Sequence, residues 1–311
     1  MNVLKPGVWG VLPTPFEEPA LDVDTASLAT VVRAYQKLGG RDVVPGVVAL
    51  GVFGEAARLT ADERERVLAT VVAAAGDLEV VAGIPFAAAD QARDEAARLA
   101  GSVRGIRALM VQVSSADTAT LVRDLAGVHD ASGLPVVVQD YPVSSGVSIA
   151  PAALAEAVAA LPFVVAVKCE SPPTSLAIAR LAALLPGMPL FGGLGGAGLL
   201  DELCAGASGA MTGFSYPEAL VSVVRAWRDG GFPAAREAIS GWLPLINFEA
   251  QPGIGLGIRK EFIRRRGLIA SAAVRPPGTP LPEELRSCLD GHLAALDSEL
   301  GTAGTKGGQR P

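Results

Sequence analysis

The sequence predicts an α/β protein, a (β/α)8 TIM barrel with additional C-terminal helices. The first observation is a regular alternation of short apolar runs and longer helix-like segments, repeated eight times before Tyr216. This alternation indicates a parallel sheet with helices outside it, and eight such units match a closed barrel. The second observation is that the pattern stays helical from Tyr216 to about Ser298 and contains no strand-like run.

Each predicted strand is an apolar run bounded by turn residues, and the first is VWGVLPTPF. The predicted strands cover 8–16, 43–50, 78–84, 106–113, 134–140, 163–169, 188–193 and 207–214. The helices after the first seven strands cover 25–38, 61–75, 88–101, 117–131, 150–160, 174–185 and 197–205. The second helix has the clearest start, because Thr60 and Glu63 form a capping-box pattern.

The chain divides into three predicted parts. Residues 1–215 form the barrel, and residues 216–300 form a helical extension packed on it. The tail at 301–311 is rich in glycine and has no periodic apolar face, so it is predicted to be disordered.

Composition excludes several classes of function. Half of the residues are hydrophobic and the net charge is −6, so we expect a large core and no basic surface for nucleic acid. No apolar run reaches about 18 residues, which predicts no membrane association and a soluble, cytoplasmic protein. Three cysteines lack C-x-x-C spacing and both histidines lie in helix-like segments. These patterns predict no disulfide framework, no zinc site and no His-rich metal site.

The run FVVAVKCES at 163–171 contains the most informative residue, Lys168, at the end of a predicted strand. A lysine there can simply end an edge strand with its amine in water. In a barrel, however, the carboxyl ends of the strands carry the chemistry, and an amine whose charge is disfavoured can attack a carbonyl group. The position favours a nucleophile that forms an imine with a 2-oxo acid.

Other strand ends supply further candidates. Thr14 ends the first strand, and the turn GVFGE at 51–55 offers backbone N–H groups that could bind a carboxylate. This turn can equally be a plain glycine hinge. The sequence GGLGGAG at 192–198 contains a formal G-x-G-x-x-G motif, but it follows the seventh strand of a barrel. It therefore favours a carboxylate or phosphate over a dinucleotide.

The ordered motifs GVWGVLPTPF, GVFGEAARLT, LPVVVQDYPVSSG, VVAVKCE, LFGG and GASGAMTG resemble the dihydrodipicolinate synthase / N-acetylneuraminate lyase family over about 290 residues. The resemblance implies a Schiff-base lyase that needs no cofactor and acts on a small 2-oxo acid as a homo-oligomer, a tetramer or dimer. It implies that Lys168 is the Schiff-base lysine and that the turn at Gly51, Val52, Phe53 and Gly54 holds the substrate carboxylate. It also implies that Gly193 and Met211 line the pocket.

The chain departs from the usual family pattern at several positions. The family usually has two hydroxyl residues where this chain has Val52 and Phe53, and a relay tyrosine where it has Gln139. Ser144 stands where the synthases carry an arginine. The motifs VVVQDYP, VKCES, GAMTG and GWLPLINFEAQ look closer to the branch that resembles 2-keto-3-deoxy-arabonate dehydratase. That branch implies loss of a hydroxyl group rather than cleavage of a carbon–carbon bond.

Without the tyrosine, another group has to move protons. Glu170 follows Lys168 by two residues, so both can face one cavity and the carboxylate can act as acid and base. Glu170 can equally be a charge at the start of the next helix. Tyr141 is a further candidate if its turn re-aims it. Glu55 is interpreted as bonding its own turn, Asp140 as bracing a loop, and Cys169 as facing away from the pocket.

Three alternatives remain beside aldol cleavage or dehydration. They are a condensation like that of 4-hydroxy-tetrahydrodipicolinate synthase, a non-catalytic barrel that binds sugar acids, and a metal-dependent aldolase. The last is disfavoured, because His and acidic residues do not cluster at the predicted strand ends.

Overall fold

The computed structural model of the chain describes residues 3–40 and 42–305. Eight parallel strands close into a barrel. The predicted fold class is therefore confirmed. The strands are β1 (Gly7–Val11), β2 (Phe16–Glu17), β3 (Asp22–Val23), β4 (Gly46–Ala49), β5 (Glu79–Gly83), β6 (Ile106–Gln112), β7 (Val136–Asp140), β8 (Val164–Cys169), β9 (Leu190–Gly192) and β10 (Gly209–Thr212). Around the barrel the order is β1, β10, β9, β8, β7, β6, β5, β4, and β4 pairs with β1.

Helices surround the barrel and continue beyond it. They are α1 (Thr25–Gln36), α2 (Ala61–Ala74), α3 (Ala89–Ser102), α4 (Thr118–Ser132), α5 (Pro142–Ser145), α6 (Pro151–Ala159), α7 (Thr174–Leu184), α8 (Leu199–Cys204), α9 (Pro217–Ser240), α10 (Leu243–Glu249), α11 (Gly255–Arg265) and α12 (Arg286–Thr305). The predicted capping box of α2 is present, since Thr60 and Glu63 each bond the backbone of the other. Among the described residues, no helix is long and apolar enough to cross a membrane.

The apolar residues form two layers. The barrel interior is filled by a cluster that includes Trp9, Met110, Phe191 and Met211. A larger cluster fills the space between the strands and the surrounding helices. Alternate strand residues supply the two layers, so a side chain at a strand end points either into the barrel mouth or outward to the helices.

Three predicted elements differ from the structure. The first strand ends at Val11 because Pro13 and Pro15 follow, and a small antiparallel pair, β2 and β3, occupies part of the predicted strand and loop. Between α11 and the short 3₁₀ turn at 283–285 the chain is not helical, since four prolines fall within 276–282. Helix α12 runs through Thr305, so 301–305 are helical where a disordered tail was expected. The rest of that tail, 306–311, lies outside the described residues.

The C-terminal helices are joined to the barrel by buried contacts. Ile258 and Phe262 of α11 are fully buried. From α9, Arg228 donates hydrogen bonds to the carbonyl oxygens of Pro6 and Asp42 near the other end of the barrel. The helical extension is thus joined to the barrel both by apolar packing and by hydrogen bonds.

Candidate active site

Lys168 lies near the carboxyl end of β8 and points into the mouth of the barrel. Its neighbours in the strand, Val167 and Cys169, belong to the outer apolar layer, so alternation directs Lys168 inward. The side chain is 6% exposed, and Nζ lies 3.0 Å from Oε2 of Glu170. The lysine is therefore not at a solvated sheet edge, because the barrel has no open edge.

Glu170 shares the cavity with Lys168 instead of capping the next helix. Gln139 Nε2 donates a hydrogen bond to Glu170 Oε2 over 2.6 Å, and the backbone N–H of Leu194 donates to Oε1 over 3.3 Å. Residue Pro173 occupies the N-cap of α7. Of the two interpretations that the sequence allowed for Glu170, the geometry favours the one in the cavity.

The strand register explains why Gln139 reaches Glu170. Gln139 of β7 stands directly beside Lys168 of β8 in the parallel ladder. Both side chains therefore project to the same side, and the amide reaches the carboxylate just beyond Lys168. A glutamine in this position orients the carboxylate but has no titratable proton of its own.

A cavity of about 520 Å³ opens in front of these residues. Its polar lining includes Arg58, Gln139, Tyr141, Lys168, Glu170, Thr212, Glu249, Gln251 and Arg259. This volume is typical of a site for a small molecule. A second cavity of about 270 Å³ adjoins it and shares Val52, Arg58 and Gln139. The ion pair of Lys168 therefore has open space beside it.

The predicted carboxylate-binding turn forms one wall of the larger cavity. Val52 and Phe53 line that cavity, whereas Gly51 lines the smaller one. Thr14 Oγ1 donates a hydrogen bond to the carbonyl oxygen of Gly54 over 2.6 Å, so Thr14 fixes the turn from behind and does not line the cavity. Contact of Thr14 with a substrate is accordingly not supported.

Glu55 holds the end of this turn, as the sequence suggested, but two of its partners come from residues far along the chain. Its backbone is left-handed, with φ of 58°, and its carboxylate accepts from Arg58 Nη1 at 2.9 Å and from the backbone N–H of Arg275 at 3.0 Å. Lys260 Nζ lies 2.5 Å from Glu55 Oε1. Both partners of this ion pair are buried, so α11 is tied to the turn through a desolvated charge pair.

The other predicted pocket residues have different positions. Met211 is fully buried in the interior cluster below the cavity and does not line it, because the next residues, Thr212 and Gly213, form the wall. Gly193 stands behind Glu170, where an added Cβ would come 2.2 Å from Oε1. The two glycine positions of the turn and Gly193 thus shape the site through the backbone.

Tyr141 does line the cavity. It follows β7 directly and occupies the N-cap of the short helix α5. Burial raises the pKa of its phenol, and the nearby charge of Glu170 raises it further. A phenol that keeps its proton at neutral pH can donate to a substrate oxygen.

Asp140 and Cys169 face away from the cavity. Cys169 is fully buried in the outer layer, and burial raises the pKa of its thiol. Burial, with a smaller effect of Glu170, raises the pKa of Asp140 to about 6. The buried Oδ1 of Asp140 has no hydrogen-bond partner, so that oxygen does not brace a loop as the sequence suggested.

The glycine-rich segment after β9 uses its N–H groups internally. Leu194 N donates to Glu170, and Gly195 N donates to Thr212 Oγ1 over 2.8 Å. Leu194, Gly195 and Gly196 all have positive φ, which only the two glycines adopt without strain. The segment thus supports Glu170, and these two N–H groups are not open to a phosphate.

Sequence reasoning missed the residues contributed by the C-terminal helices. Arg259 and Lys260 of α11 and Glu249 of α10 take part in the site or its support. For Arg259 and Lys260 the signal was the run IRKEFIRRR, whose charges are also typical of a solvated helix face. Glu249 lies in the motif GWLPLINFEAQ, which contributed to the family resemblance without pointing to this residue. Among the described residues, no group of three or more His, Cys, Asp or Glu side chains could hold a metal ion.

Comparisons with known proteins agree with this architecture. The model of the dihydrodipicolinate synthetase family matches residues 5–296. The L-2-keto-3-deoxyarabonate dehydratase of Azospirillum brasilense is 30% identical over 305 residues, covering 94% of each chain. The 4-hydroxy-tetrahydrodipicolinate synthase of Kineococcus radiotolerans is 30% identical over 308 residues, covering 96% of this chain and 92% of that protein. The crystal structure of dihydrodipicolinate synthase from Rhodopseudomonas palustris superposes with a TM-score of 0.85 at 28% identity, covering 95% of this chain and 100% of the other.

Proposed function

The chain belongs to the dihydrodipicolinate synthetase family and is a lyase of that family, and on this premise we propose that Lys168 forms a Schiff base with a 2-oxo acid. The observation that carries the proposal is the arrangement of one buried amine and one carboxylate at 3.0 Å beside a cavity of about 520 Å³. An amine can attack a ketone only after losing its proton, and Glu170 is positioned to accept it. The resulting carbinolamine loses water, which leaves an iminium at Lys168.

The iminium withdraws electrons from the neighbouring carbon atoms of the substrate. Glu170 then removes a proton from C3, and an enamine forms. In a dehydration, the enamine expels the C4 hydroxyl as water, with a proton supplied by an acid such as Tyr141. An aldol cleavage starts from the iminium itself and not from this enamine. The C4 hydroxyl loses its proton, the electrons of the C3–C4 bond move to the iminium, an aldehyde leaves, and the enamine that remains takes up a proton at C3. In both cases water hydrolyses the last imine and returns the free lysine.

Gln139 takes the role of a positioning residue in this scheme. Its amide donates to Glu170 Oε2 over 2.6 Å, on the same oxygen that faces Lys168. The hydrogen bond keeps the carboxylate beside the amine through each proton transfer. The C1 carboxylate of the substrate would be bound by backbone N–H groups of the turn, since Val52 and Phe53 supply no hydroxyl groups.

We favour a 2-keto-3-deoxy sugar acid as the substrate and dehydration as the reaction. The dehydratase of A. brasilense shares 30% identity over nearly the whole chain, and the acid–base pair here consists of Lys168 and Glu170 without a tyrosine at position 139. The second candidate is a condensation of pyruvate with an aldehyde, because the synthase of K. radiotolerans is equally similar. A substrate panel separates the two, because it follows the dehydration of 2-keto-3-deoxy sugar acids beside the consumption of pyruvate in the presence of aldehydes.

Borohydride reduction tests the shared first step. Incubation with a 2-oxo acid and borohydride should add the mass of one reduced substrate at Lys168, as located by peptide mass spectrometry. Lys168→Met should abolish the adduct, whereas Lys37→Met, which changes an exposed lysine on the outside of the barrel, should not. An unmodified Lys168 after treatment with pyruvate and with longer 2-oxo acids would refute the imine mechanism.

Glu170→Gln tests the second step. The amide keeps the size of the side chain but cannot accept a proton, so turnover should fall by about 10²- to 10⁴-fold, the usual contribution of a general acid–base group. Trapping of the imine should fall much less, because the amine can lose its proton to water. Equal losses in turnover and trapping, or no loss of turnover, would contradict the assignment.

A further inference from the structure

Arg259 forms part of the cavity wall that the C-terminal helices contribute. It lies on α11 and lines the same cavity as Lys168, and its side chain is 15% exposed. Its guanidinium carbon is 5.6 Å from the centroid of the Phe53 ring. An added Cβ at Gly195 would come 2.5 Å from Nη2, so a larger residue there would push the guanidinium aside.

One side of the guanidinium is held from behind. Nε lies 3.3 Å from Oε2 of Glu249, whose side chain is fully buried. Glu249 in turn accepts hydrogen bonds from the backbone N–H and the hydroxyl of Ser215. Ser215 fixes Glu249, and the ion pair with Glu249 together with the ring of Phe53 holds the guanidinium at the cavity wall before any ligand arrives. Such preorganisation is typical of a binding group and lowers the entropic cost of binding.

The other side of the guanidinium has unused donors. Nε lies close to Glu249 but makes no hydrogen bond, and neither Nη atom donates one to a residue in the described part of the chain. Burial also raises the pKa of Glu249 to about 7, so near neutral pH this carboxyl neutralises Arg259 only in part. A largely buried cation without a full counter-charge is costly, and a carboxylate matches the planar pair of N–H groups.

We propose that Arg259 binds a second carboxylate at the end of the substrate remote from the 2-oxo group. This inference rests on the proposed Schiff-base function and adds to it a class of substrate, namely 2-oxo acids with a distal carboxylate. Arg259 comes from α11 and stands over the face of the Phe53 ring rather than on the backbone of the turn. Because the proposed mechanism already assigns the C1 carboxylate to the backbone N–H groups of the turn, we assign the guanidinium to a second carboxylate at the other end of the substrate.

A matched pair of ligands tests the proposal. 2-Oxoglutarate and 2-oxovalerate have the same chain length and differ in a distal carboxylate against a methyl group. The concentration of each that gives half-maximal borohydride trapping at Lys168 is measured, with pyruvate as the reference without a distal group. The wild-type protein should prefer 2-oxoglutarate. Arg259→Gln should reduce this preference by about tenfold to a hundredfold, the effect of one charged hydrogen-bonded contact.

Two further variants complete the design. Arg259→Lys keeps the charge but loses the planar pair of donors, so it should retain part of the preference. Arg264→Gln removes the same charge from the outer face of α11, where Arg264 pairs with Glu261, and should retain all of it. This control separates a local contact from a change in net charge.

Failure of the Arg259 assignment can be distinguished from failure of the proposed Schiff-base function. If no ligand gives an adduct, the Schiff-base proposal is wrong. If adducts form but the wild type shows no preference, or Arg259→Gln keeps the preference, the assignment of Arg259 is wrong. It is also wrong if Arg259→Gln weakens pyruvate trapping as much as 2-oxoglutarate trapping, because Arg259 would then bind the C1 carboxylate. If Arg259→Gln weakens trapping of a polyhydroxylated monocarboxylic 2-oxo acid as much as trapping of 2-oxoglutarate, Arg259 binds substrate hydroxyl groups and the proposed distal carboxylate is wrong.

Discussion

Glu202 of α8 is predicted to make the protein less stable as the pH rises, which is the reverse of the effect of most carboxylates. Its side chain is almost fully buried behind β9. Oε1 accepts a hydrogen bond from Thr174 Oγ1 over 2.6 Å, whereas the buried Oε2 has no partner. Burial raises its pKa from 4.5 to about 7, and the hydrogen bond from Thr174 opposes this only in part.

The direction of this pH dependence is set by the number of protons that the folded and unfolded states bind. Between pH 4.5 and 7 the folded state keeps the proton of Glu202, while the unfolded chain has lost it. The stabilisation is therefore complete below pH 4.5 and is lost as the pH rises through 7. A shift of this size corresponds to about 3 kcal/mol, since one pKa unit is worth about 1.4 kcal/mol.

Glu202→Gln removes this titration while keeping the shape of the side chain. The free energy of unfolding of the variant minus that of the wild type should rise by about 3 kcal/mol between pH 5 and pH 8. Urea denaturation at four pH values across this range measures the difference, and Glu237→Gln, at an exposed position of α9, controls for the substitution itself. A difference that stays constant with pH would refute the reasoning.

Two further predictions concern the site. Gly193→Ala would bring a Cβ to 2.2 Å from Oε1 of Glu170, so the carboxylate must move and turnover should fall by about 10²-fold, with Gly101→Ala, which meets no atom within 4 Å, as the control; unchanged turnover would mean that the position of Glu170 is not critical. Lys260→Met leaves the buried carboxylate of Glu55 without its closest partner and should lower the free energy of unfolding by about 3–5 kcal/mol in urea denaturation. A loss below about 1 kcal/mol would show that the remaining partners of Glu55 suffice.

The barrel could be predicted from the sequence because its signal is local and repeated. Each strand is a short apolar run, and each helix follows at a similar distance, so errors at element ends do not alter the count. The pair β2 and β3 has two residues in each strand, too few for a periodic pattern. The non-helical stretch before α12 was missed, although its prolines were visible in the sequence.

The site could be predicted only where it depends on position along a strand. Lys168 and Glu170 were expected to share a cavity because residues two apart in a strand face the same side. The contact of Gln139 with Glu170 depends on the register between β7 and β8, which the pattern of a single strand does not contain. Arg259 lies in a helix far along the chain, and its approach to the cavity is decided by tertiary packing.

The buried pair of Lys260 and Glu55 changes how the chain can be divided. By its sequence pattern, the barrel ends near residue 215, and a shortened protein ending there would look like a complete unit. Such an excised barrel would lack the amine that neutralises Glu55, the arginine over Phe53 and the glutamate behind it. A chimera of this barrel with another should therefore keep the turn after β4 together with α10 and α11 from the same parent protein.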